Sequence, residues 1–235
     1  MHKVINCCPV CDEKRISFDN IDRKKCSICG LSFVPKEACN HGHYVCYSCE
    51  QNNIRQKIID FCLISDIKNP LELTKQLMKI DNVPMHGPSH HLLIPTALLT
   101  SYANTKPDKI NLKDSLDIAN KRSKSVPGGA CGNWGACGAG LGVGIYLSIL
   151  NDTGPLSTDD WKDVGQLTSH CLNKISEQGG PRCCKRDGFI AITEAMKYSN
   201  RELDTNYQID DISCEFFINN KQCKNIKCPF FPKRA

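Results

Sequence analysis

Residues 128–150 read GGACGNWGACGAGLGVGIYLSIL. Two thiols, Cys131 and Cys137, lie here in a loop dense in glycine, with Gly132 and Gly135 between them, and an apolar segment, 141–150, follows at once. Glycine reaches backbone angles closed to other residues and lets a ligand approach the main chain. A helix starting at this point aims its free N–H groups and the positive end of its dipole back at the loop. Such a loop suits a thiolate, a cluster sulfide or an anionic substrate. The plainer alternative is a tight helix-packing turn with two buried cysteines.

Outward from this stretch the pattern is helical. Ile54, Ile58, Phe61 and Cys62 fall at helix spacing. Asn69-Pro70 reads as a cap with proline at the first helical position, leading 71–80. Asn111 is placed to cap 112–122, with Asp114 in the first turn. Ser157-x-x-Asp160 resembles a capping box for a helix through Trp161, Val164, Leu167, Cys171 and Ile175 to Gly179, and Asp187 is placed to cap 188–198. No period-two strand run occurs over 51–200. A mainly α-helical chain is therefore expected, in three parts: a zinc-stabilised module over 1–50, a helical cysteine-rich domain over 51–200 and a cysteine-rich metal-binding tail over 201–235.

The chain has 235 residues and 17 cysteines. Residues 1–10 have no apolar signal-peptide core, and the longest apolar run, 136–150, is too short and too rich in glycine to span a membrane. A soluble, cytoplasmic protein is expected, and cysteines in a reducing compartment serve metal or redox chemistry more often than disulfides. The formal charge is +5. Thiolates bound to zinc bring that value down, so the basic excess is too small to argue for nucleic acid as a partner.

The N-terminal spacing points to metal. Cys8-x2-Cys11, Cys26-x2-Cys29, Cys39-x3-His43 and Cys46-x2-Cys49 are four ligand pairs, enough for two tetrahedral zinc sites. Cys7 competes with Cys8, and His41 with His43. About fifty residues bury too little apolar surface to fold unaided, so metal binding supplies the missing free energy. The order of pairs resembles RING-like and related treble-clef zinc modules, in which pairs one and three share one metal and pairs two and four the other. A sequential arrangement fits the spacing equally well. This module is the expected docking point for any protein partner.

Three further clusters carry chemistry. His86-Gly-Pro-Ser-His90-His91 offers a ligand or a general acid/base, with Ser89 as a cap for the helix that follows. Gly179-Gly-Pro-Arg182-Cys183-Cys184-Lys185-Arg186-Asp187 holds a vicinal thiol pair inside positive charge, which favours thiolate. Adjacent side chains diverge, so one thiol should face the Cys131–Cys137 loop and the other a pocket or solvent. In the tail, Cys214, Cys223 and Cys228 supply three ligands, which suit either a zinc completed by a fourth residue or a cluster.

The blocks at 86–104, 126–150 and 179–192 make residues 84–200 similar to an uncharacterised cysteine-rich family of anaerobic microbes, defined by a domain of unknown function. That resemblance implies an anaerobic, metal- or sulfur-related setting and no established reaction. The Gly-Ala-Cys-Gly-x-x-Gly-Ala-Cys loop also looks like the cluster-binding loop of iron–sulfur serine dehydratases and cysteine desulfidases. In those enzymes an iron with an open position acts as a Lewis acid. With the thiol clusters above, the likeness leads to a 4Fe-4S cluster on Cys131, Cys137 and one of Cys183 or Cys184, beside the roughly two zinc ions of the N-terminal pairs. The expected activity is sulfur transfer, desulfuration or redox on a small anionic or sulfur-containing substrate held by Arg182 and Arg186, with one of His86, His90 or His91 assisting. The remaining vicinal thiol would be a nucleophile or sulfur carrier. The alternatives are a non-enzymatic, metal-stabilised adaptor or cluster carrier and, third, a nucleic-acid-binding or modifying zinc protein.

Overall fold

The computed structural model describes residues 6–17 and 22–233. The reading of 1–10 as lacking a signal-peptide core thus falls partly outside the described residues. Four short strands, β1 (Arg15–Ser17), β2 (Lys24–Lys25), β3 (Ser32–Phe33) and β4 (Glu37–Cys39), precede the helices. These are α1 (Tyr47–Ile64), α2 (Pro70–Leu77), α3 (Ser89–Thr105), α4 (Leu112–Lys124), α5 (Ala130–Asn133), α6 (Gly138–Leu150), α7 (Asp159–Ser176) and α8 (Cys184–Glu202). Strand β1 pairs antiparallel with β4, Arg15 opposite Cys39, and β2 with β3, Lys24 opposite Phe33. Ribbons this short do not hold themselves together. The cysteine groups described below hold them. Among the described residues no helix is long and apolar enough to cross a membrane.

Two helix starts follow their sequence signals. Asn69 accepts from the Leu71 and Glu72 N–H groups with Pro70 at the first helical position, and Asn111 accepts from Asp114 N–H. Three differ. The Ser157 hydroxyl accepts from Gly154 N–H at 2.9 Å instead of capping α7, which starts at Asp159. Ser89 is the first residue of α3 and not its cap. Helix α8 begins at Cys184, one turn before the expected 188, because the Cys183 sulfur caps it, accepting from Arg186 N–H at 3.5 Å. Asp187 lies inside that first turn, where one carboxylate oxygen pairs with Arg186.

Helix α3 is apolar all round and buried from Ser89 to Ala103, as befits the central rod of a helical body. Helices α1, α2, α4, α6 and α8 pack around it, and α6 lies between α3 and α7. The alternating glycines of α6 permit that position. A Cβ at Gly138 would stand 2.0 Å from the His91 ring on α3, and one at Gly144 would stand 2.3 Å from the Thr168 hydroxyl on α7. On the far side, the buried Arg55 of α1 donates to the Asn120 side chain and to its backbone carbonyl, both at 2.8 Å, and so pins α4. The segment after α8 folds back in two 3-10 turns. Its Phe216 and Phe230 pack on Phe189 of α8, with centroids 6.5 and 5.6 Å away, and Cys214 N–H bonds Phe230 O at 2.7 Å.

Two alanine substitutions are expected to act in opposite directions. Gly165 of α7 has open space around its Cβ position. There alanine should stabilise by about 0.5–1 kcal/mol through helix propensity. Gly138→Ala drives a methyl into the His91 ring and should destabilise by about 1–3 kcal/mol. Thermal unfolding followed by circular dichroism should give a raised Tm for the first and a lowered Tm for the second. Shifts of the same sign would contradict the packing described here.

Candidate metal centres and the glycine–cysteine pocket

Two groups of four ligands converge in the N-terminal part. Cys8, Cys11, Cys39 and His43 form one, and Cys26, Cys29, Cys46 and Cys49 the other, with all ligand atoms of each group within 4.8 Å of one another. The pairs are therefore interleaved, not sequential. Bonds of ~2.3 Å from zinc to sulfur give a tetrahedron with edges of ~3.8 Å. The Cys11–Cys39 and Cys29–Cys46 sulfurs are 3.7 and 3.8 Å apart, and His43 Nδ1 is 3.3 and 3.5 Å from the Cys11 and Cys39 sulfurs. Each set can hold one metal ion of zinc's size.

Local chemistry builds these sites. In the first two knuckles the chain turns just past the second cysteine through a positive φ, at Asp12 and at Gly30. Each closes with a bond back to its first cysteine, to Cys8 O at 2.9 Å and to Cys26 O at 2.9 Å. Ile28 and Cys46 N–H groups point at the Cys26 sulfur. Cys46 caps α1 and Cys49 sits in its first turn, so the second group is built into the start of the helical body. Cys7 is not a member of either group. Its backbone N–H and C=O instead exchange bonds of 3.0 and 3.2 Å with the Asn82 side chain beyond α2. His41 is exposed and likewise outside both groups.

In the helical body the three sequence blocks meet. Cys131 lies in the single turn of α5 and Cys137 caps α6. Both line an open cavity of about 600 Å³, floored by Gly132 and Gly135 and edged by Arg182, Arg186 and Asp187. Burial pushes the Cys137 thiol up to about 12, and the charges of Asp187, Cys184 and Cys131 act in the same sense. The Asp187 carboxylate is 3.9 Å from the Cys137 sulfur.

The vicinal pair splits as adjacent side chains must. Cys184 takes a backbone N–H bond from Gly87 in the His86-Gly-Pro turn, and its charge bears on Cys137. Cys183 faces the other way, into a narrow cavity lined also by Cys214, Cys223 and Cys228. The expected thiolate character is corrected by the structure. Burial pushes Cys184 up to about 11 and raises Cys183 as well. The flanking cations do not offset it: Arg182 is exposed to solvent, and Lys185 and Arg186 are buried and engaged elsewhere. Arg186 is held by Asp187 at 2.9 Å and by the Gly179 and Pro181 carbonyls, while Lys185 reaches Met78 O at 3.3 Å. The segment is a helix start packed into the body, not a basic surface turn.

None of the three histidines lines either cavity. His90 is buried with Nε2 on Pro84 O at 2.9 Å, and burial holds it well below its ordinary value. His91 Nδ1 bonds Val126 O at 3.1 Å, with its ring against Gly138. His86 Nε2 sits 3.2 Å from both the Asn220 and Gln222 side-chain oxygens, beside the tail. Asn220 escapes sequence reasoning, which reads Lys185 only as local positive charge and not as a buried group. Asn220 donates to the Cys183 sulfur at 3.5 Å across 37 positions, with no local signal. Lys185 could have been found by running the α8 pattern one turn earlier, since 185, 189, 192 and 196 share its buried face.

The ligand assignment makes a direct prediction. Native mass spectrometry should find about two zinc ions on the N-terminal groups, one of which is lost in Cys11→Ser. Cys7→Ser and His41→Ala should keep both. Retention in Cys11→Ser, or loss in either of the other two, would contradict the grouping.

Neither a curated protein nor a solved structure matches this chain. Residues 58–231, from within α1 to just past Cys228, match a family described as a family of unknown function. That span takes in the HGP turn, the glycine–cysteine loop, the vicinal pair and the tail cysteines, and begins after the two N-terminal ligand groups. With well over half its length matched, the chain belongs to this family, DUF5714.

Proposed function

We propose that this protein carries an iron–sulfur cluster on Cys131, Cys137 and Cys184 and applies it to a small anionic or sulfur-containing substrate. One observation carries the reading. Cys131 and Cys137 line an open glycine-floored cavity with Arg182 at its rim, and Cys184 lies near enough for its charge to bear on Cys137. Three thiolates leave one iron of a cluster without a protein ligand, and such an iron supplies Lewis-acid chemistry.

The remaining roles belong to the chain. Arg182 is exposed on the cavity edge and offers a planar fork of donors to an anionic group. The start of α6 at Gly138 directs its dipole towards the same space. Burial keeps the metal-free Cys137 and Cys184 thiols protonated, so cluster assembly must release protons. The favoured reaction is desulfuration by elimination, in which an amino thiol such as cysteine loses its Cα proton, a C=C bond forms, the C–S bond breaks and hydrosulfide leaves. The second reading is an adaptor or cluster carrier. It is favoured by Ile28, Leu31, Phe33 and Val34, which stand exposed together around the second knuckle and would suit a protein partner.

Protein purified without oxygen should contain iron and acid-labile sulfide and release sulfide from cysteine. Cys137→Ala should abolish that release and lose the pocket's iron while keeping the helical circular dichroism. Arg182→Met should keep all iron but raise the KM for cysteine about tenfold or more, the worth of one charge-assisted bond. Zinc without labile sulfide in the wild type would leave the adaptor reading in its place.

A further inference from the structure

The cavity behind the vicinal pair is a second centre. Four cysteines line it: Cys183 at the cap of α8, and Cys214, Cys223 and Cys228 from the tail. We propose that these four hold a [4Fe–4S] cluster of their own, fully ligated by protein and separate from the open pocket. This does not rest on the function proposed above, since it shares no ligand with it.

Four observations support a cluster at this place. First, the same chain displays what an ion-sized site looks like. Among the described residues, three or more ligand atoms close to within 4.8 Å of one another only in the two N-terminal groups. The four cysteines lining the tail cavity include no such group of three, so they are not gathered as the ligands of one ion are. Second, N–H groups aim at the sulfurs. Asn225 N–H donates to Cys223 at 3.3 Å, and Arg186 N–H and the Asn220 amide donate to Cys183 at 3.5 Å. Donors to sulfur favour the thiolate form and tune a cluster.

Third, the wall is apolar. Phe216, Phe217, Phe230, Phe231 and Met85 surround the thiols, and Cys228 is followed by Pro229. Fourth, the cavity has a cation awaiting a counter-charge. Lys185 is 2% exposed, lines this space, lies 4.7 Å over the Phe216 ring and bonds Met78 O, and no carboxylate pairs with it among the described residues. A buried cation without an anion is costly. Four thiolates on a cluster core give the net negative charge that matches it. With every iron bound by protein, this centre has no open position for substrate, so its chemistry is electron storage or structural support.

The test uses the full chain, reconstituted without oxygen with ferrous iron and sulfide. In the double variant Cys131→Ala/Cys137→Ala, about four iron and four labile sulfide per chain should remain, with an electron paramagnetic resonance signal after dithionite reduction. Cys214→Ser and Cys223→Ser, made in that background, should lose them. Lys185→Met should keep the iron and lower the midpoint potential, because it removes a positive charge beside the reduced, more negative centre. Loss of all iron and sulfide in the double variant, or a third zinc in their place, overturns the proposal even if a tail variant fails to fold. Iron retained in both folded tail variants overturns it equally. If the wild type holds only the iron lost on tail substitution, the tail centre stands and the pocket reading falls.

Discussion

The missing side chains on two faces of α6 govern the architecture. With nothing but hydrogen at 138 and 144, the helix settles against the His91 ring on one side and the Thr168 hydroxyl on the other. A residue with a Cβ at either point would push α6 off α3 or off α7. The cap of α6 is Cys137, so the closeness of three helices also sets where that sulfur stands and how the preceding loop is stretched over the cavity. Packing and chemistry are here one constraint.

The cysteines sort by geometry into three kinds. Those of the N-terminal groups close to tetrahedral edges and replace a hydrophobic core that a segment of this size lacks. Cys62 and Cys171 are plain core residues, fully buried in the helical body. Six more line two cavities near the start of α8, Cys131 and Cys137 one and Cys183, Cys214, Cys223 and Cys228 the other. Arg186 is part of the wall of both spaces, and its ion-pair partner Asp187 lines the first. Removing one partner would leave an uncompensated buried charge, at a cost of about 3–5 kcal/mol.

Much of this was legible in the sequence, for reasons that can be named. The CxxC spacing marks ligands because two cysteines in one tight turn must point together, and apolar periodicity marked the helices. Asn69 and Asn111 announced their helices because capping is a contact between neighbours. What depended on distant partners was not legible. The Cys7–Asn82 exchange and the meeting of Cys183 with the tail join residues far apart in the chain, and the interleaving of the knuckles comes from the treble-clef resemblance, spacing alone leaving a sequential order open. Charge in the GGPRCCKRD segment misled, since local composition says nothing about which cations the fold will bury.

Cys183 lines the tail chamber, and Cys184, one peptide away, does not. Cys183 is an extended cap and Cys184 the first helical residue, so the backbone changes course between the two thiols. Deleting or inserting one residue between Cys184 and Phe189 would rotate both sulfurs by roughly 100° against the buried face that 189, 192 and 196 define. The length of this short connection is thus a register, as binding as the pairing of two strands, and it tolerates substitution far better than a change in count.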